Sequence, residues 1–81
     1  MASTDKMLAR MRANPLDWRI EDLKTVARRY DVSWRQPGTS HVTFRAPGGR
    51  KVTVPARRPI KPVYIRQFVA LIESMGADRD E

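Results

Sequence analysis

The spacing of apolar positions along the chain changes twice, from a helical period to strict alternation and back. Met7, Leu8 and Met11 form a narrow stripe at helical spacing, with Ser3 or Thr4 placed to cap the helix and Asp5 in its opening turn. Asn14-Pro15 should stop it, because the residue before a proline is pushed out of the α region. The helix is short enough to fray. After an apolar link containing Leu16 and Trp18, a second helix starts near Arg19 to Glu21, and Ile20, Leu23, Val26, Ala27 and Tyr30 recur on one of its faces. Glu21 and Asp22 suit the positive end of its dipole, and Arg28 and Arg29 suit the negative end.

Alternation then takes over. Val32 to Gln36 reads as a first strand, with Val32 and Trp34 inward and Ser33 and Arg35 outward. Pro37-Gly38 fits the central positions of a type II turn, since proline presets φ and glycine accepts the positive φ that follows. The second strand runs from Ser40 to Arg45, with Val42 and Phe44 facing one way and His41, Thr43 and Arg45 the other. A turn at Ala46-Pro47-Gly48-Gly49 leads to Arg50–Val54, where Val52 and Val54 face inward and Lys51 and Thr53 outward. The outer faces collect Arg35, His41, Thr43, Arg45, Lys51 and Thr53, with no acidic member.

A stiff basic connection, Pro55 to Lys61, hands over to the best-defined helix. Pro62 sits well at its first position, Ile65, Phe68, Val69, Ile72 and Met75 make its buried stripe, and Gly76 suits the left-handed position past its end. The pattern predicts an α+β fold: a three-stranded antiparallel sheet with helices on one face and the other face open. With 81 residues it forms a single domain over 1–81, its core about 7–76 and its tail 77–81 disordered.

Composition narrows the functional classes. The absence of cysteine removes disulfides and thiolate metal sites, and a single histidine leaves a metal centre only carboxylates, so neither metal nor cofactor is expected. The longest apolar run, Phe68 to Ile72, is far short of a membrane span, and Asp5, Lys6, Arg10 and Arg12 interrupt any secretory signal; a cytoplasmic protein without membrane contact is expected. A formal charge of +7 on so small a body attracts polyanions, and nucleic acid comes before solubility as its explanation.

The segment Gln36 to Arg45 holds the only histidine, just after a turn and at the start of a strand, on the wet side of the sheet. Gly38-Thr39-Ser40-His41, followed by Val42-Thr43-Phe44, Val52-Thr53-Val54-Pro55 and the start of a helix at Ile60-Lys61-Pro62-Val63-Tyr64-Ile65, resembles the HicA family of bacterial toxins. Asn14-Pro15-Leu16-Asp17-Trp18 is similar to a subset of that family, and the likeness extends from about Met7 to Gly76. It implies a double-stranded-RNA-binding-like α-β-β-β-α fold with an extra N-terminal helix. It implies a ribonuclease, an mRNA interferase that stops translation, neutralised by a HicB-type antitoxin and meeting DNA only through that complex. It places the catalytic role on His41, with Gly38 and Ser40 as the family's glycine and serine. Many relatives carry a second histidine where this chain has Arg57, so the second proton-transfer group is unassigned.

RNA needs no metal to be cut, because its own 2′-hydroxyl can attack the neighbouring phosphorus. An imidazole ordinarily exchanges its proton near neutrality and suits the role of base or acid. Arg45 and Lys51, as cross-strand neighbours, are candidates to offset the phosphorane charge, with backbone N–H groups of Gly38, Thr39 and Ser40 as further donors and Arg35 alongside as an RNA contact. Ser40 either orients His41 or the phosphate, or simply caps a strand. Arg57, Arg58 and Lys61 either bind phosphates or form a solvated linker. Two rivals stand beside the nuclease: a non-catalytic nucleic-acid-binding module using the same face, and an interaction protein whose basic face docks an acidic partner. Trp34 and Tyr30 face inward, so packing accounts for them better than base stacking.

Overall fold

Helix α1 (Ala2–Ala13) gives way at Asn14-Pro15 to a short link, then to α2 (Ile20–Arg29), and three strands follow: β1 (Ser33–Arg35), β2 (His41–Arg45) and β3 (Lys51–Pro55). Helix α3 (Pro62–Arg79) closes the chain. This computed structural model describes residues 2–38, 40–57 and 59–79, with side chains described for 5–38, 40–57 and 59–75.

The strands form one antiparallel sheet in the order β1-β2-β3. Alternation sorts them as expected: Val42, Phe44 and Val54 are buried, while His41, Arg45, Lys51 and Thr53 are exposed. Helix α2 packs on β1, α3 packs on β3, and α1 packs against both helices. The buried side chains make one cluster, centred on Phe44, whose ring meets Phe68 at 5.0 Å and Trp34 at 6.2 Å. The molecule is a small α+β fold whose sheet leaves one face open.

Helix α2 is bounded by chemistry on both sides. The Asp22 carboxylate accepts the Arg19 backbone N–H at 3.0 Å, closing its first turn. At the other end Asp31 takes φ 61° while Val32 N–H reaches the Ala27 carbonyl at 2.8 Å, the bond of a Schellman stop. Asp replaces the usual glycine there, since a short polar side chain tolerates the left-handed region better than most.

Three expectations need correction. Helix α1 begins at Ala2, ahead of the caps expected at Ser3 or Thr4, whose side chains lie outside those described. Nor is it peripheral: Met11 is fully buried, the Arg12 guanidinium meets Glu73 at 2.7 Å, and the Tyr30 hydroxyl donates to Asp5. Helix α3 runs on through Gly76 to Arg79 rather than stopping; a helix absorbs one interior glycine for roughly 1 kcal/mol when no proline follows. The expected disordered tail thus loses 77–79 to the helix, and residues 80–81 lie outside those described. Finally, Gly38 does not take positive φ, so Pro37-Gly38 is no type II turn; positive φ among the described glycines falls on Gly49, at 99°. There Gly49 N–H bonds the Ala46 carbonyl at 2.9 Å and Ala46 N–H bonds the Arg50 carbonyl at 2.8 Å, which closes the β2–β3 hairpin.

Candidate nucleic-acid interface

Register decides what shares the open face. Outward residues pair in two full rows: Ser33–Arg45–Lys51, and Arg35–Thr43–Thr53. In the second row the two threonine hydroxyls bond each other at 3.0 Å. The third row holds only His41 and Pro55, because β1 ends at Arg35, which pairs with Thr43, and the chain then leaves the sheet. His41 consequently has no strand neighbour on its β1 side. Its imidazole is exposed and has no hydrogen-bond partner among the described residues.

Beyond His41 the β2–β3 ladder adds one more bond, Ala56 N–H to the Ser40 carbonyl at 2.7 Å. That bond holds the start of the 56–61 connection against the approach to β2. As a result Ser40, His41, Pro55, Ala56 and Arg57 line a common open hollow of about 480 Å³. Of these, His41 carries the group that can take or give a proton, and Arg57 is a fixed cation that cannot act as an acid. Among the described residues Arg57 has no acidic partner.

Arg35, Arg45 and Lys51 lie elsewhere. Together with Ser33, Trp34, Pro37 and Thr43 they line a second groove of about 510 Å³. Arg45 and Lys51 are cross-strand partners as expected. They line a different pocket from His41, however: Arg45 stands four positions beyond His41, about 13 Å along β2. Arg45 and Lys51, expected to offset the phosphorane charge, thus line the second groove, and Arg57 shares the hollow with His41. Gly38 is exposed, with no heavy atom within 4 Å of where a Cβ would stand. Thr39 and Arg58, named among the possible phosphate contacts, lie outside the described residues.

Trp34 also departs from a pure core role. It is half-buried, its ring lines the second groove, and the Arg28 guanidinium lies over it at 5.6 Å. An edge strand of three residues leaves an inward side chain partly open. Gln36, just past that strand, accepts from the Lys24 ammonium at 2.9 Å and ties the loop to α2.

The charge is divided as sharply as the geometry. Residues 32–72 contain eight of the sixteen basic side chains and none of the nine acidic ones, so the whole net charge resides there. Both ion pairs among the described residues, Arg12–Glu73 and Arg29–Asp5, lie on the helical side. The sheet face thus presents cations that nothing acidic neutralises within the described residues. No group of three His, Cys, Asp or Glu side chains among the described residues is arranged to hold a metal ion.

No protein-family model matches this chain, and neither does any curated protein or solved structure. Among the described residues no helix is long and apolar enough to cross a membrane.

Proposed function

We propose that the chain is an RNA endonuclease of the HicA kind, a toxin component whose open sheet face binds mRNA and whose His41 exchanges the proton. In this reading the fold is the double-stranded-RNA-binding-like arrangement, from α2 onward, with α1 added. The observation that carries it is the placement of one exposed, unpartnered imidazole in the same hollow as Arg57, on a face free of acidic side chains.

Water is the one further reactant the chemistry uses. His41 takes the proton of the 2′-hydroxyl as that oxygen bonds to the adjacent phosphorus. The P–O5′ bond breaks, the departing 5′-oxygen takes a proton from water, the imidazolium gives its proton to the hydroxide so formed, and a 2′,3′-cyclic phosphate remains. Arg57 offsets the charge that grows on the phosphorane. Arg35, Arg45 and Lys51 hold the strand farther along, as positioning contacts to phosphates. A HicB-type antitoxin covering this face is the partner the same reading implies.

One observation favours a second reading, a nucleic-acid-binding module without catalysis: among the described residues the hollow supplies one imidazole and no second group able to protonate the leaving oxygen. Incubating the purified chain with RNA in the presence of EDTA separates the two. The nuclease yields fragments ending in 2′,3′-cyclic phosphate, and His41→Ala, at an exposed position, folds normally while cleavage drops by about 10² to 10⁴. Salt-dependent binding with intact RNA would leave the binding module standing and remove the nuclease.

A further inference from the structure

The His41 hollow does not end at Arg57. Pro55 and Arg57 are also walls of a neighbouring depression, completed by Pro59, Ile60, Lys61 and Tyr64. Resting on the reading of this chain as an RNA-cleaving protein, we propose that this depression is a second nucleotide subsite, with Tyr64 stacking the base next to the cleaved linkage and Lys61 holding its phosphate.

Three observations support it. The first is the chemistry of the lining: two cations, an aromatic ring and two prolines in continuity with the imidazole match a ligand in which anionic and flat apolar groups alternate, which is what a polynucleotide offers. Next, the platform is fixed. Ile60 is buried and its N–H donates to the Trp18 carbonyl at 3.1 Å, while the Lys61 carbonyl accepts from Tyr64 N–H at 3.0 Å and Ile65 N–H at 3.3 Å. Tyr64 itself is half-buried, packed against the core on one side and open to the depression on the other. Last, Lys61 is exposed and has no acidic partner among the described residues, and α3 has no acidic side chain in its first turn.

The size of the depression restricts the ligand further. At about 130 Å³ it is much smaller than the adjoining hollow of about 480 Å³, so it receives one face of a base on a continuous strand and does not enclose a free nucleotide. Affinity is therefore expected to climb steeply from mononucleotide to short oligonucleotide.

The test uses the full chain and a 2′-O-methyl tetranucleotide, which lacks the attacking hydroxyl and stays intact. Tyr64→Phe keeps the ring and binds within about twofold of the unsubstituted chain, whereas Tyr64→Leu binds about tenfold more weakly. Lys61→Ala lowers the slope of log affinity against log salt by about 0.7, the value for one phosphate contact on a single strand. Equal binding by a folded Tyr64→Leu variant, or a loss in Tyr64→Phe as large as in Tyr64→Leu, overturns the subsite. Should Tyr64→Leu fail to fold, an unchanged salt slope in Lys61→Ala overturns it instead. The two levels of inference separate: an unsubstituted chain that neither binds nor cuts RNA removes the nuclease reading and the subsite with it. A chain that cuts RNA but is indifferent to all three substitutions removes the subsite alone.

Discussion

His41 and Arg45 project from the same face of β2, yet they belong to different sites: the first shares a hollow with Arg57, the second a groove with Lys51 and Arg35. About 13 Å of extended strand lies between their backbones, and each opens into a different pocket. Chemistry and grip are therefore separable by substitution. Replacing Arg45 and Lys51 together by alanine is expected to raise KM and reduce the salt slope by about 1.4, leaving turnover at saturating RNA within about twofold. Arg57→Ala is expected to do the reverse, lowering turnover by about 10² with a small change in KM. Single-turnover kinetics on one RNA substrate check both, and a turnover loss confined to the Arg45/Lys51 variant would reverse the assignment.

The hollow shared by His41 and Arg57 follows from hairpin register and not from composition. Alternation alone put His41, Thr43 and Arg45 on one face, and that held, because the pleat has a fixed period of two. Distance along the strand was legible too, but composition drew attention to all outward cations alike. What placed Arg57 beside His41 was hairpin register: Ala46 and Arg50 close the turn, and stepping outward brings His41 opposite Pro55 and then Ser40 opposite Ala56. The signal was present in Ala46-Pro47-Gly48-Gly49, had the turn been counted outward. The end of β1 at Arg35 is not legible in the alternation, which runs on to Gln36; there the side chain accepts from Lys24 on α2 and proline follows. Likewise Gly76 lies within α3 and does not end it, because glycine's freedom to leave a helix is not an obligation to do so.

Gly38 offers a test of function separated from fold. It has ordinary backbone φ and open space where a Cβ would stand, so alanine meets neither strain nor collision. Gly38→Ala should leave the thermal midpoint unchanged or slightly raised, since alanine restricts the unfolded chain and gains about 0.4 to 1 kcal/mol where the conformation suits it. Cleavage should nevertheless fall about tenfold if, as the proposed role of the 38–41 segment requires, an RNA backbone approaches the glycine closely. A variant with full activity would show that the glycine at this position serves no approach of substrate.

A stabilising substitution follows from the stop of α2. Asp31 holds φ 61° at the position where helices most often place glycine, and its side chain is exposed. Asp31→Gly relieves the steric cost of that conformation and should raise stability by about 0.5 to 1 kcal/mol, read as a shift of the urea midpoint with unchanged slope. Asp31→Val, β-branched in a left-handed position, should lose more than glycine gains. Neither should alter RNA cleavage, as the residue lies outside both hollows.

The strongest stability prediction concerns Phe44, which joins the open face to the core beneath it. Its side chain is fully buried between Phe68 on α3 and Trp34 on β1, the three rings spanning both layers of the fold. Removing the ring forfeits its burial and leaves a cavity that two aromatic neighbours on different elements are poorly placed to fill, a loss of about 3 to 5 kcal/mol. Small domains bury a lower fraction of their surface and sit near the bottom of the usual range of about 5 to 15 kcal/mol. Phe44→Ala should thus be largely unfolded at 37 °C, while Phe44→Leu, which keeps most of the volume, should stay folded with a lowered urea midpoint. Because Thr43 and Arg45 flank Phe44 on the opposite face, a folded Phe44→Leu chain should still cleave RNA; loss of activity in a chain with native circular dichroism would mean that the sheet's outer geometry depends on this ring more closely than its register implies.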